Sequence, residues 1–161
     1  PHGAWAGPPI DEALERIGRR ACPRTERPPA PDGRRRVLHV ATECADVGGH
    51  SRMAWRWISR DAASVPTLAL TRQRGPVPDR LSYAVGSRGG LVEVIEGHDQ
   101  IARARALGRL ADRADMVVLH VHPFDAVAPI ALADRRGRPP VVLVNHACLL
   151  YTSDAAHQPT F

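Results

Sequence analysis

Residues Arg36–Arg52 read RVLHVATECADVGGHSR, an apolar run followed by a polar loop, a glycine pair and more polar residues. The run Val37–Ala41 is apolar enough to form a buried parallel strand. Helical periodicity begins at Gly49, directly after Gly48. A strand, a glycine loop and a helix start in that order form a cradle for an anion, because glycines admit close backbone approach and the helix N-terminus is partly positive. This stretch therefore predicts an α/β fold whose first loop contacts a phosphate or a sugar.

Strand-like and helix-like segments alternate through the remainder of the chain. We predict strands over Val37–Thr42, Pro66–Thr71, Leu91–Ile95, Met116–Val121 and Val141–Val144. We predict helices over Gly49–Ala62, Asp79–Val85, Gln100–Ala114 and Ala126–Arg135. Such alternation is typical of a parallel sheet covered on both faces and joined by right-handed crossovers. The predicted fold class is α/β, a Rossmann-like doubly wound parallel sheet.

Residues 1–35 have a different composition, with seven prolines and seven arginines. Apolar residues at helical spacing predict one short amphipathic helix; they are Ile10, Ala13, Leu14 and Ile17. The following stretch, Cys22–Gly33, is typical of an extended linker.

Composition limits the class of protein. A chain of 161 residues with 43% hydrophobic content is large enough for one domain with a core. No apolar run reaches the length of a transmembrane helix, and the N-terminal residues do not have a secretory pattern. The three cysteines have neither disulfide-scaffold nor zinc-site spacing, which favours a reducing compartment. We therefore expect a cytoplasmic protein.

The basic charge does not predict nucleic-acid binding. The formal net charge is +5, and every one of the 22 Lys-or-Arg positions is arginine. The arginines are scattered and not interleaved with aromatic residues, so we attribute them to codon bias.

Polar residues follow three of the predicted strands. Because the carboxyl ends of parallel strands meet at one edge of a sheet, we expect these clusters to converge on a ligand. They are Glu43 and Gly48–Arg52 after the first strand, His120, His122 and Asp125 at and after the end of the fourth, and Asn145 and His146 after the fifth.

The residue types indicate polar ligand binding. His50, Ser51 and Arg52 can donate to phosphate oxygens, although the glycine pair matches neither the dinucleotide fingerprint nor a P-loop. His120 and His122 are two apart on a predicted strand, which would point them to one face. A histidine there could bond a hydroxylated substrate or handle its proton, but no third ligand at zinc spacing accompanies the pair.

Other interpretations of the polar residues stay open. We take His122 as the leading histidine because Pro123 fixes the turn after it. A buried structural role is an alternative for either histidine. Asp125 either contacts substrate or caps the following helix.

Four short motifs, taken in order, resemble those of the N-terminal domain of GT-B-fold glycosyltransferases, in particular the retaining group called family 4. They are VLHV at Val37–Val40, GGHSR at Gly48–Arg52, HVHP at His120–Pro123 and NH at Asn145–His146. The resemblance covers Arg36–Ala147 and implies transfer of a sugar from a nucleotide-sugar donor to an acceptor molecule. It implies no metal and no cofactor besides the donor as co-substrate.

The resemblance also implies residue roles. His122 would contact the sugar near the reacting centre, with His120 supporting it as the second catalytic residue. Substrate-binding roles fall on Gly48, Gly49, His50, Arg52, Asp125, Asn145 and His146. The glycine loop would approach the donor diphosphate or an acceptor phosphate, and a second Rossmann-like domain would hold the donor. A peripheral membrane contact stays open as a further partner.

We expect the chain to be a fragment in three parts, inactive by itself. These are the Pro/Arg-rich segment 1–35, an acceptor-side domain over 36–147 and a non-native tail over 148–161. The tail is so interpreted because Cys148–Ala156, CLLYTSDAA, can be back-translated into a transposon adapter used for sequencing libraries.

Three other classes remain as alternatives, of which an arginine-rich nucleic-acid binder is the third. A nucleotide-sugar epimerase could share the glycine loop and the histidines. A non-catalytic Rossmann-like binding domain is the second, but a phosphorylated receiver domain needs a lysine, and this chain has none.

Overall fold

A computed structural model describes residues 8–26, 33–134 and 137–144. The helices in these ranges are α1 (Pro8–Ala21), α2 (Gly49–Arg60), α3 (Asp79–Gly86), α4 (Gln100–Arg113) and α5 (Val127–Leu132). The strands are β1 (Arg35–Ala41), β2 (Ser64–Leu70), β3 (Leu91–Val94), β4 (Met116–His120) and β5 (Val141–Leu143).

The strands form one parallel sheet in the order β3-β2-β1-β4-β5. β1 lies in the centre, with Ala41 aligned to Leu70 of β2 on one side and to His120 of β4 on the other. The chain thus builds the sheet outward in both directions from β1. The prediction of a Rossmann-like, doubly wound α/β fold is confirmed.

Helices cover both faces of the sheet because alternate residues of each strand point in opposite directions. On one face Leu38 and Val40 of β1 pack in a buried cluster with α4, α5 and the end of α1. On the other face Ala41 packs with β2, α2 and α3, whose buried residues include Ile58 and Leu81. β1 is therefore buried from both sides, as its apolar sequence requires.

Several element bounds differ from the prediction, and one difference matters for the site. β4 ends at His120 instead of Val121. Its last residue is aligned with Ala41, the last residue of β1, so β4 stops where its central neighbour stops. His122 consequently lies in the loop after β4. α5 is also shorter than predicted, ending at Leu132.

The N-terminal segment contains the predicted helix, α1. Residues 22–26, predicted as part of an extended linker, lack regular secondary structure but are attached to the domain. Cys22 is buried, its carbonyl accepts from Arg138 Nη2 at 3.1 Å, and Thr25 donates its N–H to Asp112 Oδ2 at 2.8 Å. Arg138 and Asp112 form a buried ion pair at 3.2 Å. The linker prediction is thus wrong for residues 22–26, and its continuation over 27–32 lies outside the described residues.

None of the helices in the described ranges is both long enough and apolar enough to cross a bilayer.

Candidate functional site

A cleft of about 320 Å³ lies at the carboxyl ends of β1, β2 and β4. Ligands of open α/β sheets bind at this edge, beside the strand at which the strand order reverses. β1 is that strand here. The lining residues come from the loops after the three strands and from the starts of three helices; they are Thr42, Glu43, His50, Thr71, Arg72, Arg74, Gln100, Arg103, His122, Phe124, Asp125, Ala126 and Val127.

Asp125 ties the floor of the cleft together. Thr42 Oγ1 donates to Asp125 Oδ2 at 2.7 Å, and Thr71 Oγ1 donates to the same oxygen. The other oxygen, Oδ1, accepts from the N–H of Val127 at 3.0 Å, at the start of α5. One carboxylate therefore connects the ends of β1 and β2 to a helix start, although the N-cap residue of α5 is Ala126 and not Asp125.

His122 is exposed and lines the cleft. Its backbone N–H donates to Thr42 Oγ1 at 2.8 Å, so the floor network also positions the histidine backbone. The N–H of Phe124 donates to His122 Nδ1 at 3.4 Å. Because Nδ1 accepts, the neutral imidazole carries its proton on Nε2. The ring can therefore donate a hydrogen bond from Nε2 to a ligand oxygen.

His120 lies elsewhere, and the prediction that both histidines belong to one strand is wrong. His120 is the last residue of β4, and only 1% of its surface is exposed. Its Nε2 is 3.3 Å from Nδ1 of His39, and the two rings are stacked with centroids 5.6 Å apart. The ring of Trp57, from α2, stands edge-on to both. His120 thus belongs to the sheet–helix interface and is not among the residues that line the cleft.

His39 is a buried titratable group that our sequence interpretation did not single out. Burial lowers the pKa of His39 from 6.5 to about 4, although the charge of Asp61 acts in the opposite direction. The imidazole is therefore neutral at physiological pH. The signal in the sequence was a histidine inside an apolar strand.

The glycine loop contributes less to the cleft than predicted. Gly48 has φ 152° and precedes α2, a backbone conformation that favours glycine. Ser51 is buried and its Oγ accepts from the N–H of Ala45 at 2.9 Å, which shapes the loop. Of the predicted residues here, His50 lines the cleft, whereas Gly48, Gly49 and Arg52 are not among the lining residues. Asn145 and His146 lie outside the described residues.

Three arginines line the cleft that the sequence prediction missed: Arg72, Arg74 and Arg103. Arg103 is fixed by donating Nε to the carbonyl of Gly97 at 3.2 Å and Nη1 to that of Thr71 at 3.5 Å. Arg72 and Arg74 are exposed and directly follow β2. The sequence signal for these two arginines was their position after a predicted strand end. Because arginines are scattered through the rest of the chain, this signal was not recognised.

Phe124 was also missed. Its side chain is 70% exposed although apolar, and it lines the cleft beside His122, with ring centroids 5.2 Å apart. An exposed phenylalanine at a cleft gives a ligand an apolar surface.

Neither thiol nor metal chemistry is indicated near the cleft. Cys44 is buried, and burial raises the pKa of its thiol, which makes it a poor nucleophile at neutral pH. Across the part of the chain that the structure describes, no three His, Cys, Asp or Glu side chains are grouped to hold a metal ion.

The fold and the cleft together define the class: a Rossmann-like α/β protein with a polar, arginine-bearing cleft beside its central strand. Comparison with protein-family models, with curated proteins and with solved structures found no match.

Proposed function

We propose that Arg36–Ala147 is the acceptor-side domain of a GT-B-fold glycosyltransferase, which transfers a sugar from a nucleotide-sugar donor with retention. The observation that carries the proposal is the position of His122, in a polar cleft at the carboxyl edge of a doubly wound sheet. The motifs VLHV, GGHSR and HVHP support it, because they occur in the order and spacing of that family.

In this proposal the cleft binds the acceptor. His122 Nε2 donates to a sugar oxygen near the reacting centre, while the Asp125 network holds the loop that carries His122. The donor nucleotide is bound by a second domain that closes over the cleft. The transfer reaction would be accelerated by positioning of the two substrates and by electrostatic stabilisation of the departing diphosphate.

Ligand titration followed by NMR tests the proposal. We expect hexoses or hexose phosphates at millimolar concentration to shift the amide signals of Thr42, His122 and Phe124. His122→Ala should weaken these shifts without unfolding the chain, since the side chain is exposed. His98→Ala is the matched control, because His98 is 86% exposed and does not line the cleft.

Two results would contradict the proposal. One is a response at the cleft to a nucleotide sugar but to no acceptor-type sugar, which would favour the epimerase. The other is turnover of a nucleotide sugar by the 161-residue chain alone, because the proposal assigns the donor to another domain.

A further inference from the structure

We propose that the cleft binds a phosphorylated sugar. The phosphate would lie at the side of the cleft lined by Arg72, Arg74 and Arg103, called the arginine side below, and the sugar ring would lie against Phe124 and His122. The inference rests on the proposed function and names the class of acceptor. It moves the anion from the glycine loop, where the sequence predicted it, to the loop after β2.

The charge on the arginine side supports an anionic ligand. Three arginine residues line the cleft, against two acidic residues, Glu43 and Asp125. Both oxygens of Asp125 already accept hydrogen bonds from Thr42, Thr71 and Val127, so this carboxylate is engaged within the floor. The cleft is left with excess positive charge, and guanidinium groups match phosphate because they bind it through two parallel hydrogen bonds.

The arginines also have the capacity to bind a ligand. Arg103 is held in place through Nε and Nη1, as described above, so its orientation is set before any ligand binds. Within the described ranges, the guanidinium groups of Arg72 and Arg74 make no hydrogen bond or ion pair with protein. A phosphate would therefore displace no partner that these two side chains have among the described residues.

The opposite side of the cleft suits the sugar ring. Arg72 and Arg74 lie in the loop after β2, and His122 lies in the loop after β4. In the strand order β2-β1-β4, these two loops therefore lie on opposite sides of β1. Two strands separated by one neighbour are roughly 10 Å apart. A ligand that spans the cleft thus meets guanidinium groups at one end and the exposed ring of Phe124 at the other. The C–H face of a sugar can pack on that ring while its hydroxyls reach His122.

The size of the cleft selects a small ligand. Its volume of about 320 Å³ lies at the lower end of the range for small-molecule sites, roughly 300–1,000 Å³. A monosaccharide phosphate suits this space better than a whole nucleotide sugar does.

Isothermal titration with glucose 6-phosphate, glucose 1-phosphate, glucose and inorganic phosphate tests the inference. We expect at least one sugar phosphate to bind roughly tenfold or more tightly than glucose, with an affinity that falls as salt is added. Arg72→Gln and Arg74→Gln should each weaken that binding about tenfold. Vesicles carrying a phospho-sugar headgroup form a separate arm, and arginine-dependent binding there would identify a lipid as the source of the same chemistry.

Arg56→Gln is the matched control, since Arg56 is exposed on α2 and does not line the cleft. It should leave the affinity unchanged. Phe124→Ala should weaken binding of the sugar phosphate more than binding of inorganic phosphate. Thermal melts of all variants check that each one is folded.

The outcomes separate this inference from the proposed function. If the double variant Arg72→Gln/Arg74→Gln binds the sugar phosphate as tightly as the unsubstituted chain, the inference is overturned, while His122-dependent binding of a sugar would leave the proposed function standing. If the arginines matter but His122→Ala and Phe124→Ala have no effect, the cleft is an anion site and the placement of the sugar is wrong.

Discussion

Asp125 joins the ends of β1 and β2 to the start of α5 through one carboxylate. Its two oxygens accept hydrogen bonds from two threonine hydroxyls and one backbone N–H, all of them partly buried. Groups of this kind are costly to leave without partners. At the scale of single residues, the shape of the cleft floor therefore depends on Asp125 more than on any histidine predicted from the sequence.

Asp125→Ala should lower the free energy of unfolding by about 2–4 kcal/mol, because it removes the common acceptor of Thr42 and Thr71. Asp125→Asn keeps one oxygen and should cost less. Urea denaturation measures both. Asp46→Ala is the control, since Asp46 lies in an exposed loop. A loss in Asp125→Ala no larger than in the control would show that the network contributes little.

Single residues also show where prediction from the sequence reached its limit. The convergence of His50, His122 and Asp125 at one edge followed from their positions after the ends of parallel strands, and the structure brings them together. For His120 the sequence left a buried structural role open, and the structure buries it against His39 and Trp57. Arg72 directly follows a predicted strand end, but arginines are scattered through the chain, so this position alone did not single it out.

At the scale of elements, the turn between α3 and β3 depends on the absence of a side chain. Gly89 has φ 77°, and a Cβ added at Gly90 would lie 1.8 Å from the carbonyl oxygen of Pro66 in β2. The edge strand β3 can approach β2 only because this position is glycine.

Gly90→Ala should therefore destabilise the fold by about 3 kcal/mol, since the backbone must move to admit the methyl group. Gly86→Ala is a close control: Gly86 ends α3, and nothing lies within 4 Å of an added Cβ. That change should be neutral or stabilise by up to about 1 kcal/mol. Thermal unfolding of both variants gives the comparison, and equal effects would rule out the steric explanation.

The elements themselves were largely predictable. Continuous apolar runs between turn residues gave β1 and β4 to within two residues, and helical periodicity gave α4. The N-cap of α4, Asp99, accepts from the N–H of Ala102 in the structure. The attachment of residues 22–26 was not predictable, because it depends on contacts with Asp112 and Arg138, far away in sequence.

At the scale of the whole molecule, the buried side chain of His39 couples stability to pH. Burial lowers the pKa of His39 to about 4, so the folded state binds this proton more weakly than the unfolded chain does. The folded state therefore has its full stability with respect to this group above pH 6.5, and it loses free energy of unfolding as the pH falls from 6.5 towards 4. The shift corresponds to about 3 kcal/mol by pH 4.

His39→Gln should reduce the loss of stability between pH 6.5 and 4 by about this amount. The free energy of unfolding, measured in urea at several pH values, gives the slope of stability against pH for each protein. His98→Gln should keep the slope of the unsubstituted chain, because His98 is 86% exposed. Identical slopes for all three proteins would mean that His39 is protonated without unfolding.

The contacts of Arg138 have a consequence for synthesis of the protein. Arg138 Nη2 bonds the carbonyl of Cys22 across 116 positions, and Arg24 bonds the carbonyl of Gly137 across 113. On the ribosome, the stretch after α1 must therefore wait for almost the whole domain to be translated before these anchors exist. α1 precedes β1 in the chain, yet the stretch that follows it is anchored only after Gly137 and Arg138 have been translated.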